Sequence, residues 1–96
     1  MRTRLIRHKI MPNIKILGIG SSKYRILLNN LTEVVKELNI DAEVEKFEKI
    51  EDFIHFSIVK IPTLMIDDEV VIEGYASTVE ELKRIFFQKF TKTVND

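Results

Sequence analysis

The stretch from Asn13 to Tyr24, N-I-K-I-L-G-I-G-S-S-K-Y, limits what this chain can fold into more than any other. Ile14, Ile16, Leu17 and Ile19 would be apolar on both faces of a strand over residues 14–19. That is the pattern of a central strand covered on each side, not of one with a wet face. Gly18 and Gly20 interrupt the run. Ser21 or Ser22 is then a good N-cap, because a serine oxygen accepts an N–H that the first helical turn leaves unpaired. A strand that delivers a tight turn to a helix N-terminus is a common place for chemistry, since unpaired N–H groups and the positive end of the helix dipole meet there.

The remaining pattern supplies partners for that strand. Tyr24, Leu27, Leu28, Leu31, Val35 and Leu38 recur at helical spacing, with Glu33 and Lys36 off the stripe. Asn39 suits the helix end, because Asn tolerates the left-handed conformation found there. Asp41 to Phe47 alternates, Ala42 and Val44 against Glu43 and Glu45, as in a half-exposed strand near a sheet edge. Strand, helix and strand make a βαβ unit, so the two strands should be parallel with a right-handed crossover.

Residues 48–58 fit a short helix through Ile50, Phe53, Ile54 and Ser57 or Ile58, with His55 at its surface. Pro62 is tolerated at the start of a strand over Thr63 to Ile66. The polar turn Asp67-Asp68-Glu69 and the return Val70 to Ile72 read as an antiparallel hairpin. Ser77-Thr78-Val79-Glu80 reads as a capping box with Ser77 as N-cap. It opens a last helix that would bury Val79, Leu82, Ile85, Phe86 and Phe90 and leave Phe87 off the stripe. The order β-α-β-α-β-β-α implies an α/β fold with a four-stranded mixed sheet and helices on both faces.

A chain of 96 residues makes one domain, expected here over residues 13–91. Residues 1–12 are expected to be a disordered basic tail, with a start upstream of a native Met11 as the alternative for residues 1–10, and residues 92–96 a short polar tail. The N-terminal ten residues hold Arg2, Arg4, Arg7 and Lys9 and no acid. The rest carry 11 Lys and Arg against 15 Asp and Glu, a net charge of −4. An acidic body is a poor partner for nucleic acid. No apolar run approaches the roughly 18 residues of a membrane span, and no signal peptide is visible, so a cytoplasmic protein is expected. There is no cysteine, and His8 and His55 lack metal-ligand spacing, so no metal or other cofactor is expected.

Several chemistries fail at the loop itself. Gly18-Ile19-Gly20-Ser21-Ser22-Lys23 has the wrong glycine spacing for a P-loop, and Lys23 stands where the dinucleotide fingerprint needs its third glycine. A serine nucleophile would need His8 or His55 as base and has no elbow motif around it. Two readings remain open. Gly20, Ser21, Ser22 and Lys23 at a helix N-terminus could hold a phosphate or carboxylate. More plainly, the serines cap the helix, Lys23 is solvated and Tyr24 packs.

The element order, together with Ile14 to Gly20 before a helix, Ile61-Pro62-Thr63-Leu64-Met65-Ile66-Asp67, and Val70 to Gly74 before a capped helix, resembles the small thioredoxin-like proteins often called redox-active disulfide proteins. The resemblance spans roughly Ile14 to Phe90. It implies a thioredoxin-like fold, a cis Ile61–Pro62 peptide bond, and a Cys-x-x-Cys motif directly after the second glycine. Those two cysteine positions are Ser21 and Tyr24 here. Disulfide exchange needs one sulfur to attack and a second to resolve, so the resemblance implies a degenerate, redox-inactive member with no catalytic residue.

Its expected contact surface is the vestigial loop Gly20, Ser21, Ser22, Lys23 and Tyr24 beside Ile61, Pro62 and Thr63. A peptide or protein segment would add there by backbone pairing. The alternative is a small enzyme that binds glutathione or an anion through the Ser21 and Tyr24 hydroxyls. A third possibility is self-association through Phe87 and the strand over 41–47; a monomer or weak dimer is expected.

Overall fold

The computed structural model describes residues 11–91. The expectations for residues 1–10 and 92–96 lie outside the described residues. Seven elements follow one another: β1 (Ile14–Leu17), α1 (Ser22–Glu37), β2 (Val44–Phe47), α2 (Ile50–His55), β3 (Thr63–Ile66), β4 (Glu69–Glu73) and α3 (Val79–Thr91). The sheet runs β2-β1-β3-β4. β1 pairs with β2 in parallel and with β3 antiparallel, and β3 and β4 form the antiparallel hairpin.

The sheet has two unequal cores, one on each face. Ile14, Ile16, Leu64, Ile66 and Ile72 point to the larger, where Tyr24, Leu27, Leu31 and Val34 of α1 and Leu82 and Phe86 of α3 cover them. Leu17 and Met65 point the other way, where Phe53 of α2 covers them with help from Phe47, Phe56 and Ile58. The two-sided apolar pattern of β1 is therefore used in full, though over a shorter span than the periodicity predicts. The strand ends at Leu17, and Ile19 is 48 % exposed beyond it.

Helix α1 also departs in detail. Val34 is fully buried and Leu38 is 41 % exposed, the reverse of the expected stripe. The buried positions advance 24, 27, 31, 34, which tracks a straight helix; Leu38 is the C-cap, already turning away. Asn39 follows it in the left-handed region, with φ 56°. β2 is only four residues long, and the alternation holds through it: Val44 packs on the larger core and Phe47 faces the α2 side. In α2 only Phe53 is buried; Ile50 and Ile54 are 64 % and 73 % exposed. His55 is exposed, edge-on to Phe56 with ring centres 4.8 Å apart.

The hairpin turns on Asp67 and Asp68, both at positive φ, the backbone that suits a two-residue turn between twisted strands. Asp67 gains a local partner for adopting it. Its carboxylate accepts the Asn13 N–H at 2.8 Å, and its own N–H donates to the Asn13 carbonyl at 2.8 Å.

The last helix is capped one residue later than expected. The Thr78 carbonyl accepts the Leu82 N–H, and the Thr78 hydroxyl accepts the Glu81 N–H at 3.1 Å. Ser77 is buried instead. Its hydroxyl donates to Glu81, and its carbonyl accepts from the Asn30 side chain of α1 at 2.9 Å, tying the two large helices together. The carboxylate of Glu81 also accepts from Tyr75.

The left-handed residue after α1 can be tested directly. Asn39→Gly is expected to raise stability by about 0.5–1 kcal/mol and Asn39→Val to lower it by about 1–2 kcal/mol, read from denaturant midpoints.

Candidate functional site

Strand register decides which loops meet. Leu17 lies opposite Phe47 on one side and Thr63 on the other, and Thr63 lies opposite Glu73. The loop after β1, the residues after β2, the residues before β3 and Gly74 therefore share one end of the sheet. The Gly18 N–H donates to the Phe47 carbonyl at 3.1 Å, extending the parallel pairing one step into the loop.

Ser21 is the N-cap of α1, and its hydroxyl accepts the Tyr24 N–H at 3.3 Å. No acid stands in the first turn. Gly20, Ser21, Ser22 and Lys23 are all exposed. Arg25 folds back over the loop and donates to the Gly20 carbonyl at 3.0 Å.

Tyr24 differs from its neighbours. It is 3 % exposed and belongs to the main core. Its ring lies against Gly18 so closely that a Cβ at Gly18 would overlap the ring carbons. Gly18 is thus needed for close approach, not for its backbone angles. The phenol donates to the Glu48 carboxylate at 2.7 Å. Burial, and then the hydrogen bond and charge of Glu48, push the Tyr24 hydroxyl well above its ordinary value of 10.0. The hydroxyl expected to face a ligand is instead committed to Glu48 and held firmly neutral.

On the facing segment the Ile61–Pro62 peptide bond is cis. Of Ile61, Pro62 and Thr63, only Ile61 is exposed. Thr63 is buried because it opens a central strand, and its hydroxyl donates to the Lys60 carbonyl at 2.5 Å. The Pro62 carbonyl accepts the Gly74 N–H at 2.8 Å, with Gly74 at φ 87°. The backbone N–H and C=O of Ile61 have no hydrogen-bond partner among the described residues. The outward surface is therefore Gly20 to Lys23 with Ile61, flanked by exposed Ile19 and Val59; Tyr24, Pro62 and Thr63 support it from beneath.

The sequence pattern marks Gly18 only as a break in the strand run and gives Glu48 and Arg25 no role. Parallel pairing of β1 with β2 was the available signal: it obliges the residue after β2 to meet the loop after β1. No cluster of His, Asp or Glu among the described residues could hold a metal ion.

This arrangement, a βαβ unit joined to a β-hairpin and helix with a helix-capping loop facing a cis-proline, defines a thioredoxin-like domain. Residues 12–87 match the model of the thioredoxin domain family, and the chain belongs to that family. It is 37 % identical over 75 residues to a thioredoxin of Methanothermobacter thermautotrophicus, covering 78 % of this chain and 97 % of that protein. It is 35 % identical over 75 residues to a thioredoxin of Methanocaldococcus jannaschii, covering 78 % of this chain and 86 % of that protein. Among solved structures, the fold matches thioredoxin-2, described as a component of malaria parasite protein secretion machinery. The TM-score is 0.64 at 12 % identity, over 85 % of this chain and 86 % of that one.

Two outcomes follow from the seat of Tyr24. Gly18→Ala is expected to destabilise the fold by roughly 1–3 kcal/mol through overpacking, and Tyr24→Ala in the same chain is expected to cancel most of that increment in a double-mutant cycle. The raised pKa of Tyr24 gives the second. Its stabilising contribution is complete below pH 10.0, the ordinary value, and is lost as pH rises through the higher folded-state value. Stability measured against pH should begin to fall as pH rises above 10.0, and fall less in Tyr24→Phe.

Proposed function

We propose that this protein is a thioredoxin-fold binding module without redox chemistry, which takes an extended peptide segment at the edge formed by Ile61 and the loop 20–23. The observation that carries this reading is Ile61. Its N–H and C=O have no partner among the described residues, the residue is 38 % exposed, and it stands at the sheet end where a strand could be added. Main-chain pairing gives affinity in such additions and side-chain contacts give preference. Exposed Ile19 and Val59 provide apolar contact on either side.

The absence of cysteine supports the non-redox half of the reading, because a hydroxyl cannot replace the attacking or the resolving sulfur. The family resemblance to redox-active disulfide proteins is consistent with a scaffold whose reactive group has been lost. No helix among the described residues is long and apolar enough to cross a membrane, which fits the cytoplasmic setting we assign to it. The glutathione reading draws less support, since its principal hydroxyl, that of Tyr24, is bonded to Glu48.

A fluorescent, disulfide-free decapeptide of extended character is expected to bind. Ile61→Asp should weaken it by about tenfold, the loss of roughly 1–2 kcal/mol of apolar contact, without moving the thermal midpoint by more than a few degrees. Turnover in an insulin-reduction assay would contradict the reading. Glutathione binding abolished by Ser21→Ala or Tyr24→Phe would favour the enzyme alternative.

A further inference from the structure

The surface around Ile61 carries a charge opposite to that of the rest of the body. Outside the first ten residues the chain is net −4. Yet Lys23 lies in the loop, Arg25 is drawn over it by the Gly20 carbonyl, and the Lys60 side chain lies over Gly74, directly before Ile61. Neither Lys23, Arg25 nor Lys60 forms a salt bridge with a described residue, whereas Lys15, Lys83 and Lys89 do so elsewhere. Acids are also present at this end: Glu48, exposed but accepting from the Tyr24 hydroxyl, and Glu73, exposed at the end of β4. Three exposed cations thus share this end of the sheet with the exposed apolar residues Ile19 and Ile61.

Resting on the docking reading above, we infer that the segment taken here is acidic: an extended peptide of another protein that sets an apolar side chain on Ile19 and Ile61 and carboxylates against Lys23, Arg25 and Lys60. Charge complementarity selects this occupant over the alternatives. Residues 1–10 of this chain, with four cations and no acid, would be repelled. A neutral apolar segment would leave the three cations unused. The cations contribute through encounter rate and selectivity, and their effect is screened by salt.

Three decapeptides of one apolar pattern, bearing two Glu, two Gln or two Lys at the flanking positions, test this by fluorescence anisotropy at low and at physiological salt. The acidic peptide is expected to bind at least about fivefold more tightly than the neutral one at low salt, with the gap narrowing as salt rises. Lys23→Glu with Lys60→Glu should reverse the order and favour the basic peptide. These are exposed side chains, and the thermal midpoint checks that the variant folds. Equal binding of all three peptides, or a preference unchanged in the double variant, overturns the charge inference and leaves the docking reading intact. Absence of binding by any peptide overturns both.

Discussion

The fold depends on β1 having no wet face. Ile14 and Ile16 must be covered by α1 and α3, and Leu17 by α2, so a four-residue strand fixes the positions of all three helices. Its two edges are paired as well, parallel to β2 and antiparallel to β3. The chain leaving this strand has no freedom to wander. It must turn at once at the sheet's end, where the residues preceding β3 arrive from the other side. The geometry of the candidate site follows from that pairing, not from any strong contact within the site.

Tyr24 shows how the scaffold persists where the resemblance places a cysteine. A large ring stands at a position suited to a small side chain, and Gly18 makes room by having no Cβ. The hydroxyl then needs a partner, which parallel pairing supplies as Glu48. The exposed half of the loop is left to Gly20, Ser21, Ser22 and Lys23, which bring one cap hydroxyl and one cation. A surface of this kind can hold a partner's backbone and charge; it offers no electron carrier.

Much of this was legible in the sequence because the signals were long-period or chemical. The two-sided run at 14–17, the helical stripe from Tyr24, the Asp-Asp turn and the absence of cysteine each speak without tertiary context. Boundaries were less so. Leu38 continues the helical period but falls on the cap, and Ser77 sits at a capping-box spacing but is buried beneath Glu81 while Thr78 caps. In both cases two adjacent residues satisfy the local rule, and only packing chooses between them. The site was legible as a pair of segments but not as a surface. Pro62 and Thr63 are buried because β3 is central, and Tyr24 because its ring seats on Gly18; neither fact is local in sequence.

In the proposed docking mode the Ile61 backbone, without a partner among the described residues, takes up an added strand. Amide hydrogen exchange measured residue by residue, with and without a saturating acidic decapeptide, tests it most directly. The account predicts fast exchange at Ile61 in the free protein and marked slowing when the peptide is bound, with Met65 inside β3 protected in both states. Exchange at Ile61 that is slow in the free protein, or unchanged by bound peptide, would contradict it.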